Sequence, residues 1–125
     1  MPQDTQAGRL TAVTDATFAA TVLAADRPVV VDFWAEWCPP CRVVSKHLAE
    51  LAEEFGDALR FVALNIDENP TTARAYQVMS APTMLVFRDG QVVGSTVGAR
   101  PKNHLRQSFA RHLDGWAGAG WERAG

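Results

Sequence analysis

Residues 29–41 read Val29-Val30-Val31-Asp32-Phe33-Trp34-Ala35-Glu36-Trp37-Cys38-Pro39-Pro40-Cys41. Val29–Ala35 is an apolar run of strand length, the pattern of a strand buried on both faces. Beyond it, positions 41, 44, 48, 51, 52 and 55 are all apolar, and that i, i+3, i+4, i+7 spacing predicts a long amphipathic helix that Gly56 stops. A buried strand running straight into such a helix is the opening of an α/β unit. At the junction stand the only two cysteines of the chain, Cys38 and Cys41.

Outward from this stretch the same alternation continues. Upstream, Leu10–Thr14 is a short β-compatible run, and Asp15 is read as the N-cap of a helix over Ala16–Ala25. Downstream, Leu59–Ile66 predicts another buried strand, and Asp67-Glu68-Asn69-Pro70 is turn and helix-start chemistry before a short helix over Thr71–Tyr76. Thr83–Phe87 and Gln91–Val97 are strands joined at Asp89-Gly90, a strong hairpin signal. Pro101 opens a last helix whose apolar stripe is Leu105, Phe109 and Leu113. The order predicts a mixed sheet with helices on both faces. Residues 1–9 carry no periodicity and are read as a flexible end, 10–113 as one domain, and 114–125, with Trp116 and Trp121, as a Gly- and Ala-rich tail.

Bulk numbers agree and narrow the function. A chain of 125 residues fits one domain. With 47% hydrophobic and 21% charged residues it is globular rather than disordered. A net charge of −2 offers no basic face, so nucleic acid is not an expected partner. No apolar run reaches the roughly 18 residues of a membrane span, and the first residues lack a basic-then-apolar leader, so a cytoplasmic protein is expected.

Cys38-Pro39-Pro40-Cys41 carries the chemistry. A bridge across so small a ring removes little unfolded-state entropy, so its purpose is reactivity rather than stability. The start of a helix stabilises a thiolate, the nucleophile of thiol–disulfide exchange. Proline is tolerated there because the N–H it lacks would have had no partner. A zinc site would need further ligands at suitable spacing, and His47, His104 and His112 are scattered. Asp32, a carboxylate inside an apolar strand, should have its pKa raised by desolvation. Lying beneath the helix start, it could exchange a proton with the inner thiol. Glu50, Glu53 and Glu54 read as a solvated helix face.

VVVDFWAEWCPPC at 29–41, ALNIDENP at 63–70, SAPTMLVFRDGQ at 80–91 and VGA at 97–99 together resemble the thioredoxin family, in its order and spacing. The resemblance covers about residues 10–113. It implies an α/β thioredoxin fold, a central five-stranded mixed sheet flanked by four helices. Cys38 would be the attacking thiolate, Cys41 the resolving thiol and Asp32 the buried acid–base group. Pro82 matches the family's cis-proline, facing the cysteines. Trp37, Ala81, Pro82, Val97 and Gly98 would form an apolar platform for the target, with Trp34 packed beneath and Asp67 holding the Trp37 ring.

The sequence departs from the family at several points. Pro39-Pro40 stands where Gly-Pro is usual, which stiffens the ring and removes an N–H near the Cys38 sulfur. A lysine often found near the buried aspartate is Ala63 here, so Asp32 should be largely protonated near neutral pH in the reduced protein. The helix-bending proline of many members is Lys46.

The resemblance implies a disulfide reductase acting on disulfide-containing target proteins. It also implies no bound cofactor, no metal, and re-reduction by an NADPH-dependent flavoprotein of the thioredoxin-reductase kind. A monomer is expected. The alternatives are a thiol oxidase or isomerase tuned by the Pro-Pro pair, and a non-catalytic binding module using the same platform.

Overall fold

In the computed structural model, which describes residues 10–113, the buried run Val29–Trp34 is the middle strand of a five-stranded sheet. The strands are β1 (Thr11–Ala12), β2 (Val29–Trp34), β3 (Arg60–Asn65), β4 (Thr83–Arg88) and β5 (Gln91–Val97), in spatial order β1-β3-β2-β4-β5. β3 runs parallel to β1 and β2, whereas β4 is antiparallel to both β2 and β5, so the sheet is mixed. The expectations for residues 1–9 and for the tail at 114–125 lie outside the described residues.

Side chains alternate across β2, and the two faces feed separate cores. Val30 and Trp34 face one core, packed by helix α1 (Pro39–Phe55) and helix α3 (Lys102–Ala110) through Val44, Leu48, Leu105 and Phe109. Val29, Val31 and Phe33 face the other, with Phe18, Val22 and Ala73. The latter core is covered by a π-helical segment, Ala19–Leu23, and by helix α2 (Pro70–Ala75). Asp32 shares the face of Val30 and Trp34, beneath α1.

Three local readings are corrected. Asp15 caps no helix immediately following it: Thr14 and Thr17 close the turn there, each Oγ1 accepting from the other's backbone N–H at 3.2 and 2.9 Å. Asp15 instead accepts from Thr71 N–H at 3.2 Å and Thr72 N–H at 2.8 Å, closing the N-terminus of α2. The helix expected over Ala16–Ala25 is a turn followed by the π-helical segment, in which Ala24 N–H reaches back to Ala19 O at 2.9 Å. Glu50 and Glu54 are not merely solvated. Lys102 Nζ lies 2.9 Å from Glu50, and Arg106 grips Glu54 with two 2.8 Å contacts, pinning α3 to α1.

The hairpin follows its sequence signal. Asp89 and Gly90 both have positive φ, 54° and 78°, as a tight primed turn requires. Gly94 has a packing reason: a Cβ there would sit 2.5 Å from His112 Nε2.

Candidate active site

The site is built where β2 ends. Cys38 occupies the N-cap of α1 in an extended conformation, and Pro39 and Pro40 fill the first helical positions. The first N–H that the helix offers is therefore that of Cys41, which donates to Cys38 O at 3.0 Å. The helix field reaches the sulfur, but the pair of prolines brings no backbone donor to it.

Cys38 and Cys41 are joined as a disulfide, with Cα atoms 5.3 Å apart. Cys41 is fully buried and Cys38 is 3% exposed, so what solvent access the pair has belongs to Cys38. The Cys38 sulfur lies 3.4 Å from the Ala81 carbonyl oxygen. The Ala81–Pro82 peptide is cis, and Thr83 Oγ1 donates to Ser80 O at 2.7 Å across it. On the other side Gly98 N–H donates to Pro82 O at 2.9 Å, with Gly98 at φ 93°.

Of the residues expected to form a platform, Pro82 is buried and Ala81 and Gly98 are half-buried. Trp37 is 62% exposed and Val97 51%. Trp37 Nε1 donates to Asp67 Oδ2 at 2.8 Å, which fixes the indole. Asp67 is placed in turn by Asn65, whose Oδ1 accepts from the N–H groups of Asp67 and Glu68 at 2.9 and 3.1 Å. Trp34 is buried below, its carbonyl accepting from Ile66 N–H at 2.9 Å. Sequence reasoning missed Met79, 91% exposed just before the cis peptide. It borders an open groove of about 200 Å³ that runs from Tyr76 to Val97.

Asp32, on the face of β2 that α1 covers, is completely buried. Its neighbours in register are Ala63 on β3 and Met84 on β4, neither of them charged. Its carboxyl is raised from 3.8 to about 7, burial lifting it and the hydrogen bond from Ser45 offsetting part of that rise. In the disulfide form the carboxyl therefore titrates far above the ordinary carboxylate range, near neutral pH. Ser45 is the residue sequence reading passed over; its one signal was a polar side chain one helical turn beyond Cys41 on the core-facing stripe.

His104 is exposed, while His47 and His112 are half-buried on other surfaces of the fold. Among the described residues, no group of three His, Cys, Asp or Glu side chains is placed to hold a metal ion. Nor is any described helix long and apolar enough to cross a membrane.

Comparison with known proteins decides what this arrangement is. The family model described as Thioredoxin matches residues 9–111. The chain belongs to the thioredoxin family. Thioredoxin 1 of Synechococcus elongatus is 48% identical over 102 residues, covering 82% of this chain and 95% of that protein. A thioredoxin of Streptomyces clavuligerus is 54% identical over 99 residues, covering 79% and 92%. One from Rhodospirillum rubrum is 50% identical over 93 residues, covering 74% and 89%. The chain is a dithiol–disulfide oxidoreductase: the family, the curated relatives and the Cys38–Cys41 pair agree.

Proposed function

We propose that the enzyme works in the reducing direction on disulfides of other proteins, with Cys38 as the nucleophile. The observation that carries this reading is the placement of the Cys38–Cys41 disulfide at the start of a helix whose Ser45, one turn beyond Cys41, hydrogen-bonds a fully buried carboxyl. In the reduced enzyme the Cys38 thiolate attacks one sulfur of a target disulfide. The target's other sulfur leaves as a thiolate and takes up a proton. Cys41 then gives its proton to the Asp32 carboxylate, and its sulfur attacks the Cys38 sulfur. The bond between Cys38 and the target breaks, the second target thiolate leaves, and the enzyme keeps the two oxidising equivalents as its own disulfide.

The remaining site residues serve this exchange. Pro39 and Pro40 hold the turn between the cysteines. Trp37, Ala81, Pro82, Val97 and Gly98 receive the target, with Asp67 fixing Trp37 and Trp34 supporting the floor. Trp37 and Val97 offer exposed apolar side chains, as an interface for an extended target segment requires. The redox equivalent resides in the cysteines themselves, so we infer no bound cofactor or metal. An NADPH-dependent flavoprotein of the thioredoxin-reductase kind would restore the dithiol. A monomer in the cytoplasm, with neither nucleic acid nor membrane as partner, fits two cysteines used for chemistry and a net charge of −2. The test is NADPH-coupled reduction of a disulfide protein such as insulin. The wild type should turn over, and Cys38→Ser should lose all turnover. Activity that survives in Cys38→Ser would remove the cysteine mechanism.

A further inference from the structure

We propose that Ser45 is a positioning residue for the proton transfer from Cys41. Its hydroxyl fixes one oxygen of the Asp32 carboxyl and leaves the other to take the proton. This rests on the reading of Asp32 as the acid–base group.

The geometry is specific. Ser45 Oγ donates to Asp32 Oδ2 at 3.4 Å, and both residues are buried, Ser45 at 3% exposure and Asp32 at none. The second oxygen, Oδ1, is buried without a hydrogen-bond partner. A serine inside a helix commonly bends its hydroxyl back to the carbonyl four residues earlier, here that of Cys41. Ser45 is aimed across the helix–sheet interface instead. It stands one turn beyond Cys41 on the same buried face of α1, so the Cys41 sulfur and the Ser45 hydroxyl lie on the side of the helix that covers Asp32.

Among the described residues in register with Asp32 or beside Ser45, no other side chain can take over the task. The residues in register with Asp32 on β3 and β4 are Ala63 and Met84, and the buried α1 residues beside Ser45 are Cys41, Val44 and Leu48. The ionisable groups facing the carboxyl from these elements are therefore the cysteine thiols. His47 lies two residues beyond Ser45, on a different side of α1. A buried carboxyl with two equivalent free oxygens could turn about its last bond. One anchored oxygen leaves a single orientation and a single acceptor. In the reaction, the Cys41 S–H proton passes to the free oxygen, and the electron pair left on sulfur forms the bond to Cys38 as the target thiolate departs.

The test uses the reduced full chain as wild type, Ser45→Ala, Ser45→Thr and Asp32→Asn. The Asp32 carboxyl is titrated by carbon NMR, and the rate of mixed-disulfide resolution is followed against pH. Ser45→Ala should move both the carboxyl midpoint and the pH profile upward by roughly half a unit, and Ser45→Thr should restore them. A purely structural serine would change stability and leave both midpoints in place, which would overturn the assignment. The Asp32→Asn profile separates the two claims. A pH step absent from Asp32→Asn but unmoved in Ser45→Ala overturns the Ser45 role alone. A step that persists in Asp32→Asn overturns the acid–base reading and this role with it.

Discussion

Asp32 on β2 lies in register with Ala63 on β3, so a methyl group faces the carboxyl where a cation would lower its pKa. With Met84 on the other side, the carboxyl has no neighbouring charge in the sheet to offset its desolvation. The strand tolerates this because its other side chains are fully or nearly fully buried hydrocarbons and aromatics, each worth about 1.5–3 kcal/mol.

That arrangement makes stability depend on pH with a defined sign. The folded chain holds the Asp32 proton up to about 7, whereas the unfolded chain releases it near 3.8. The stability associated with Asp32 is fully present below pH 3.8 and is lost as pH rises toward 7. Asp32→Asn should therefore be more stable than wild type at pH 8 by on the order of 2–4 kcal/mol, with the gap closing toward pH 4. Urea unfolding of the oxidised proteins at both pH values checks this. A gap that does not change with pH would contradict it.

The two cysteines should fail differently. Cys41→Ser should accumulate a covalent mixed disulfide between Cys38 and a target, visible on a non-reducing gel and removed by dithiothreitol. Cys38→Ser should trap nothing. Trapping by Cys38→Ser alone would reverse the assigned roles.

Pro39→Gly restores a backbone N–H at the first helical position, where neither Pro39 nor Pro40 supplies one. A donor near the sulfur favours the thiolate, so the Cys38 thiol should titrate at lower pH than in wild type. Thiolate absorbance near 240 nm against pH reads this directly. An unchanged or higher midpoint would show that ring stiffness outweighs the lost donor.

Asp67→Ala removes the 2.8 Å bond that orients Trp37. The KM for a protein disulfide should rise by about 3- to 10-fold, while kcat and the reduction potential hold. A fall in kcat with unchanged KM would place Trp37 outside target binding.

Much of this was legible in the sequence, because local pattern and tertiary structure agree there. Val29–Trp34 is apolar and central, the α1 stripe faces the core, and Asp89-Gly90 turns the hairpin. The cysteines stand at the strand–helix junction as their neighbours require. What escaped depends on partners far along the chain. Asp15 looks like a local cap, yet its oxygens are claimed by α2, more than fifty residues later. Glu50 and Glu54 look like plain surface until α3 brings Lys102 and Arg106 beside them. Ser45 breaks an apolar stripe for no local reason, and only the sheet beneath supplies one. Met79 is uninformative in sequence and conspicuous only in the fold, where it stands 91% exposed on a groove it shares with Ser80 and Val97.

The reduction potential of the Cys38–Cys41 pair, measured at equilibrium against a glutathione or dithiothreitol buffer, tests the reducing role most directly. The account predicts a value near or below the about −270 mV typical of thioredoxin. A value near the about −180 mV of an isomerase or the about −120 mV of a strong oxidant would contradict it, and would make Pro39-Pro40 the feature that turns the exchange toward oxidation.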